Sequence, residues 1–230
     1  MLRRSLWVVA AALFVASLAV PQASAQGIKL GAKAGVNFAD VGGSDVSTLE
    51  AFIGASTKSK TGFIAGAFAE FMIGNMFAIQ PEVLYSQKGV KFEEQGATLK
   101  YKIDYIEVPL LFKVNIPIEG SKVHPNVYAG PAVSFKSSCK VSGEFGGLSA
   151  DVDCEGQDII DIFDDEILIK STDLGLVFGG GVSFDVGGAE VGVDVRYNLG
   201  LSKVEDFDPP DDIKNKVISI MGTIGVPLNR

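Results

Sequence analysis

From Leu174 to Leu201 the chain alternates between apolar and polar residues, and this period of two is its strongest constraint on folding. One parity carries Leu174, Leu176, Phe178, Val182 and Phe184, then, past Gly187-Gly188, Val191, Val193, Val195, Tyr197, Leu199 and Leu201. The other carries Asp173, Gly175, Gly179, Gly181, Ser183 and Asp185, then Glu190, Gly192, Asp194, Arg196 and Asn198. Such a pattern means β-strands with one apolar and one polar face. Taken alone it fits a half-buried sheet in water or strands that cross a bilayer.

The N-terminus favours the second. Arg3 and Arg4 precede an apolar run from Leu6 to Val20, and Ala23-Ser24-Ala25 supplies the small residues of a cleavage site, so residues 1–25 read as a signal peptide and residues 26–230 as the mature domain. An N-terminal anchor is the alternative, but the run is short for a hydrocarbon core of about 30 Å. No later run approaches the roughly 20 apolar residues of a spanning helix, so an exported chain of this kind is periplasmic, secreted or an outer-membrane barrel. Removing Arg3 and Arg4 leaves 18 basic residues against 28 acidic ones, a formal charge of −10 in place of −8. That balance argues against nucleic acid as a partner. Cys139 and Cys154 lie in one polar segment, and in an oxidising compartment they are expected to form a loop-closing disulfide.

Eight segments keep the alternation. The first is Ile28 to Phe38, the second Gly62 to Ile73 and the third Phe77 to Lys88, with Gly74-Asn75 as the turn between the last two. The fourth, about Leu99 to Ile116, changes its polar parity near Tyr105-Ile106, which predicts a β-bulge there. The fifth is about Asn126 to Phe135, the sixth and seventh are the pair described first, and the eighth is Lys216 to Leu228. Connections two to three and six to seven are a few residues long, and four to five about ten, with Pro117, Gly120 and Pro125. The others are longer and more polar. Short turns on one rim and long loops on the other mark an outer-membrane barrel, and apolar runs of this length reach the 9–11 residues or so that a tilted spanning strand needs.

A closed ring of about eight strands has an interior just wide enough for side chains to fill. The polar face carries glycines that make room, and charges of both signs that must pair if they are enclosed. The expected lumen ionic network comprises Glu70, Glu82, Glu107, Lys113, Asp194 and Arg196, with Arg196 gathering Glu70, Glu82 and Glu107 around its five donors. A catalytic carboxylate pair is the sharper alternative use of the same residues. Outward Phe63, Phe71, Tyr85, Phe112, Phe135, Phe184 and Tyr197 suit an aromatic girdle.

Four motifs carry a resemblance: Gln80-Pro81-Glu82-Val83-Leu84-Tyr85-Ser86-Gln87-Lys88-Gly89, Tyr105-Ile106-Glu107-Val108-Pro109-Leu110-Leu111, Tyr128-Ala129-Gly130-Pro131 and Arg196-Tyr197-Asn198-Leu199-Gly200-Leu201. They resemble the PorT-type outer-membrane β-barrel family over nearly the whole mature chain, and the resemblance implies an eight-stranded barrel, with some family members linked to protein secretion. The final Val226-Pro227-Leu228-Asn229-Arg230 departs from common outer-membrane practice in lacking a terminal aromatic residue.

The segment Lys136 to Lys170 is acidic, and Asp151, Asp153 and Glu155 imitate the start of a calcium loop. Position twelve of that frame is Ile162, which cannot supply the closing carboxylate, so a solvated acidic loop is the plainer reading. His124, the single histidine, falls in a short-rim turn, poorly placed for a lipid-modifying enzyme. Gly179-Gly180-Gly181 precedes a strand, not a helix, and is no phosphate loop. The expectation is an all-β, eight-stranded, antiparallel up-and-down transmembrane barrel, OmpA/OmpX-like in size and with a filled lumen. It needs no cofactor and resides in the outer membrane with its long loops extracellular. Its partners are outer-membrane lipid, the barrel-insertion machinery and an extracellular or secretion partner. The expected function is non-enzymatic, in surface interaction or envelope integrity; the alternatives are a narrow pore or secretion component, and a membrane-embedded lipid-modifying enzyme.

Overall fold

The computed structural model describes residues 27–42, 56–94, 97–145, 148–153, 172–201 and 214–228, so the expected signal peptide lies outside them. Nine strands result: β1 (Ile28–Gly42), β2 (Ser56–Ile73), β3 (Phe77–Glu94), β4 (Ala97–Asn115), β5 (Val123–Phe145), β6 (Leu148–Asp153), β7 (Thr172–Val186), β8 (Ala189–Gly200) and β9 (Lys214–Pro227). Eight of them close an antiparallel barrel. Ring neighbours pair in chain order with β6 left out, β5 pairing with β7, and the first strand meets the last where Leu30 stands opposite Val226 and Phe38 opposite Ile218. The short β6 pairs only with the far end of β5, from Lys140 to Phe145, above the stretch where β5 meets β7.

Large apolar side chains cover the outside. Phe63, Phe77, Phe112, Val127, Phe184, Val193, Val195 and Ile224 are all roughly half exposed, which in a closed sheet places them against the surrounding medium. Facing the other way, Lys33, Glu70, Glu82, Glu107, Arg196 and Asn198 are buried. The tight Val186 to Ala189 turn is built on Gly187 and Gly188, whose φ values of 58° and 99° a side-chain-bearing residue rarely adopts. Gly179 has a different task. A Cβ there would stand 2.3 Å from the Tyr128 hydroxyl oxygen, so its bareness is what admits that ring to the lumen.

Two expectations need correcting. The strands do not end where the outward apolar residues end: β3 continues to Glu94, β4 begins at Ala97, and β5 runs on to Phe145. Where long loops were expected, a hydrogen-bonded wall formed by β2 to β6 therefore extends past the apolar band. The bulge does not turn β4 over either. Pairing of β4 with β3 is unbroken from Leu84↔Glu107 to Glu94↔Ala97. The register shift occurs opposite β5, where Asp104 meets Ser138 and Tyr105 meets Lys136, leaving Ser137 as the extra residue. Along β4, Lys100 and Lys102 thus share the outward parity of Ile106 and Leu110. Ile103 and Tyr105 share the inward parity of Glu107 and pack with Cys139. The polarity of the two faces exchanges along a continuous strand, because the medium outside it changes.

Candidate functional site: the lumen

Inward side chains fill the lumen in three tiers. Nearest the short turns, Lys29 Nζ donates to Glu70 Oε1 at 3.1 Å and to Glu190 Oε2 at 2.6 Å. Lys113 Nζ donates to Glu70 Oε2 at 2.6 Å and to Gln80 Oε1 at 3.3 Å. Ser183 Oγ reaches Glu190 Oε1 at 2.6 Å. A cavity of ≈ 20 Å3, room for about one water, opens among Lys29, Glu70, Lys113, Asn126, Ser183 and Glu190.

The middle tier crosses the barrel. Arg196 grips Glu82 with both terminal nitrogens, Nη1 to Oε2 at 2.8 Å and Nη2 to Oε1 at 3.0 Å. Lys33 Nζ at 2.8 Å and Gln80 Nε2 at 2.7 Å donate to the same Oε1. Tyr128 donates its hydroxyl to Asp194 and accepts from Arg196 Nε at 3.3 Å, while Lys33 lies 3.8 Å from Asp194. Two rings line the cations: Lys33 stands 5.2 Å from the Phe68 centroid, and the Arg196 guanidinium 5.4 Å from that of Tyr128. Charges that are paired and hydrogen-bonded are the form in which ions tolerate burial.

The third tier joins Lys88 to Glu107 at 2.6 Å, with Asn198 Nδ2 donating to the other Glu107 oxygen at 3.3 Å. Beside it Ser219 donates to Asn37 Oδ1, and Asn37 Nδ2 to Ser86. Apolar side chains seal the interior around these groups: Ile64, Leu84 and Met221 on one side, Leu111, Ala132 and Val177 on another.

All six residues named from the sequence for the lumen network face the interior, but not as one cluster. Arg196 takes Glu82, whereas Glu70 is held by Lys29 and Lys113, and Glu107 by Lys88. Each tier brings its own cation, so neither Glu70 nor Glu107 has to reach the arginine. The sequence reading left Lys29, Lys33 and Lys88 out of the network although their parity marks them as inward. It also missed Tyr128, for which the facing Gly179 was a usable signal.

The remaining named residues lie elsewhere. His124 belongs to β5, not to a turn, and its Nε2 stands 3.0 Å from Asp185 Oδ2 on the exposed rim. Ser183 Oγ lies 3.3 Å from the His124 carbonyl oxygen and bonds Glu190, so it is not activated by the imidazole. Cys139 is buried and not free, and Cys154, its expected partner, lies outside the described residues. Asp151 and Asp153 fall on β6 rather than in a loop, Glu155 lies outside the described residues, and among those described no group of acidic, histidine or cysteine residues could hold a metal.

Comparison with known proteins agrees with the geometry. No curated protein matches the chain. Among solved structures, the outer membrane protein OprG from Pseudomonas aeruginosa is 13% identical, with 88% of this chain and 96% of that one covered and a TM-score of 0.52. Neisserial surface protein A from Neisseria is 17% identical over 86% of this chain and 96% of its own, with a TM-score of 0.47. The similarity to OprG is one of fold. The model of the outer membrane protein beta-barrel domain family matches residues 22–206, most of the chain, and the protein accordingly belongs to that family of outer-membrane barrels.

Proposed function

We propose that this is a non-conducting, non-enzymatic integral outer-membrane protein whose long connections face the cell exterior and serve surface interaction or envelope integrity. The observation that carries the proposal is the middle tier, where Arg196, Glu82, Lys33, Asp194 and Tyr128 bridge β1, β3, β5 and β8 across the lumen. Those groups spend their charge on one another, which supports a lumen blocked at this tier and carboxylates already committed to cations. Purified protein in a planar bilayer is expected to give no steady unitary current. A stable ohmic conductance would replace the proposal with the narrow pore or secretion component.

Export requires residues 1–25 as a cleaved signal, and the mature chain recovered from membranes is expected to begin at Gln26. We assign the PorT-type branch of barrels on the four strand motifs, and a Cys139–Cys154 disulfide on the oxidising compartment. Non-reducing peptide mapping that finds Cys154 alkylated rather than joined to Cys139 would remove the disulfide.

A further inference from the structure

In the tier nearest the short turns, one buried acceptor has no donor. Asn126 of β5 is all but 8% buried, and its Oδ1 is enclosed without a hydrogen bond among the described residues. Leaving such an oxygen dry is costly. Asn126 lines the cavity of ≈ 20 Å3 together with Lys29, Lys113, Ser183, Gly181 and Gly225. The two glycines make the room. A Cβ at Gly225 would stand 2.8 Å from Lys29 Cδ, and one at Gly181, the register partner of Asn126, 3.6 Å from Asn126 Nδ2.

The lining fixes what can fill this space. Both oxygens of Glu70 are taken, by Lys29 and Lys113, and both of Glu190, by Lys29 and Ser183. An ammonium group carries three N–H donors. Among the described residues Lys29 spends two of them, on Glu70 and Glu190, and Lys113 two, on Glu70 and Gln80. What these groups leave over is the Asn126 oxygen as acceptor and one N–H on each lysine as donor, so a ligand that satisfies both sides must donate and accept. Charge points the same way. The ammonium groups of Lys29, Lys33 and Lys113 line the cavity opposite the carboxylates of Glu70, Glu190 and Asp194, and the two sets balance. An added cation would face ammonium groups whose carboxylates are already engaged, and a small anion has no proton to give Oδ1. Size removes larger neutral molecules, because a water needs about 10–15 Å3 of such space and the cavity offers little more.

We propose that this cavity is a binding site for one internal water, which donates to Asn126 Oδ1 and accepts from the spare N–H of Lys29 or Lys113. Bound there, it ties β5 to the ion pairs that link β1, β2 and β4.

The full mature barrel, refolded in detergent micelles, is measured by oxygen-17 magnetic relaxation dispersion, which counts long-lived waters and is blind to exchanging lysine and hydroxyl protons. Asn126→Leu removes the acceptor and fills the space, and its dispersion amplitude is expected to fall below that of wild type by one water. Lys122→Gln, at an exposed position on the rim, should leave the amplitude unchanged. Heat-modifiable gel mobility identifies folded protein in each case. A second measurement needs no variant: a crystal structure of the wild-type barrel with visible ordered solvent is expected to hold one solvent peak within about 3.2 Å of both Asn126 Oδ1 and a lysine Nζ. Equal amplitudes in wild type and N126L, or a cavity empty of density in that crystal, overturn the site. An amplitude that falls when ammonium chloride replaces choline chloride at equal ionic strength gives the place to a small cation and overturns water as the ligand.

Discussion

Within the apolar band, β4 turns Glu107 and Lys113 inward and Ile106, Leu110 and Phe112 outward; above it, the same strand turns Tyr105 and Ile103 inward and Lys102 and Lys100 outward. No slip against β3 separates the two regions. What differs is the medium. Hydrocarbon beside the band drives charges to the interior, where each must find a partner. Where water and headgroups replace it, lysines can stand outside, and the interior is free to close with Ile103, Tyr105 and Cys139. A strand is therefore not intrinsically apolar on one face; each length of it matches its surroundings.

The contrast breaks most severely when a lumen pair is halved. Glu82→Ala leaves Arg196 and Lys33 buried around a missing carboxylate and is expected to cost about 3–5 kcal/mol, seen as an earlier urea midpoint by far-ultraviolet circular dichroism in vesicles. The double variant E82L/R196M should recover part of that loss, because it leaves fewer unpaired charges. Next comes a charge on the band's outer face. Val195→Lys, at a half-exposed position, should cost about 2–4 kcal/mol in a bilayer, whereas Lys102→Gln above the band should stay within about 0.5 kcal/mol. Equal penalties for these two would erase the distinction between the regions. Gly179→Ala crowds the Tyr128 hydroxyl and should cost about 1–3 kcal/mol, with part of the loss relieved by adding Tyr128→Phe.

A pH-dependent effect lies in the wall. Partial burial and the neighbouring Lys102 push the Lys60 ammonium down from 10.5 to about 8, against the pull of Asp104. The folded protein therefore releases this proton more readily than the unfolded chain, and stability should rise with pH between about 8 and 10.5. Carbon-13 shifts of reductively methylated Lys60, followed through that range, check the midpoint. A value near that of an ordinary lysine would mean that the site is wetter than its geometry.

Parity alone made most of the band legible. Alternation placed Glu70, Glu82, Glu107, Lys113, Asp194 and Arg196 on the enclosed face and Val193 and Val195 on the other, because a strand period of two leaves no third option. Tier membership was not legible, since it depends on the height at which each strand is staggered, and that is a property of ring closure. The wall was hidden for another reason. Val90, Phe92, Leu99 and Tyr101 alternate with Lys91, Lys100 and Lys102 as regularly as any spanning segment, but their polarity is exchanged. An expectation of one apolar face throughout turned that exchange into a flipped strand on β4.

The tiers are stitched from distant parts of the chain: Lys29 and Glu190 are 161 residues apart, Glu82 and Arg196 114, and Asn37 and Ser219 182. The third tier needs Ser219 of the last strand, whereas every ion pair described in the lumen is complete by the end of β8. A polypeptide arrested before its last strand would leave Asn37 without the Ser219 hydroxyl and the facing edges of β1 and β8 without backbone partners, a seam that hydrocarbon does not tolerate. Charge neutralisation is thus finished one strand before the ring is, and closure is left to backbone hydrogen bonds and neutral polar groups.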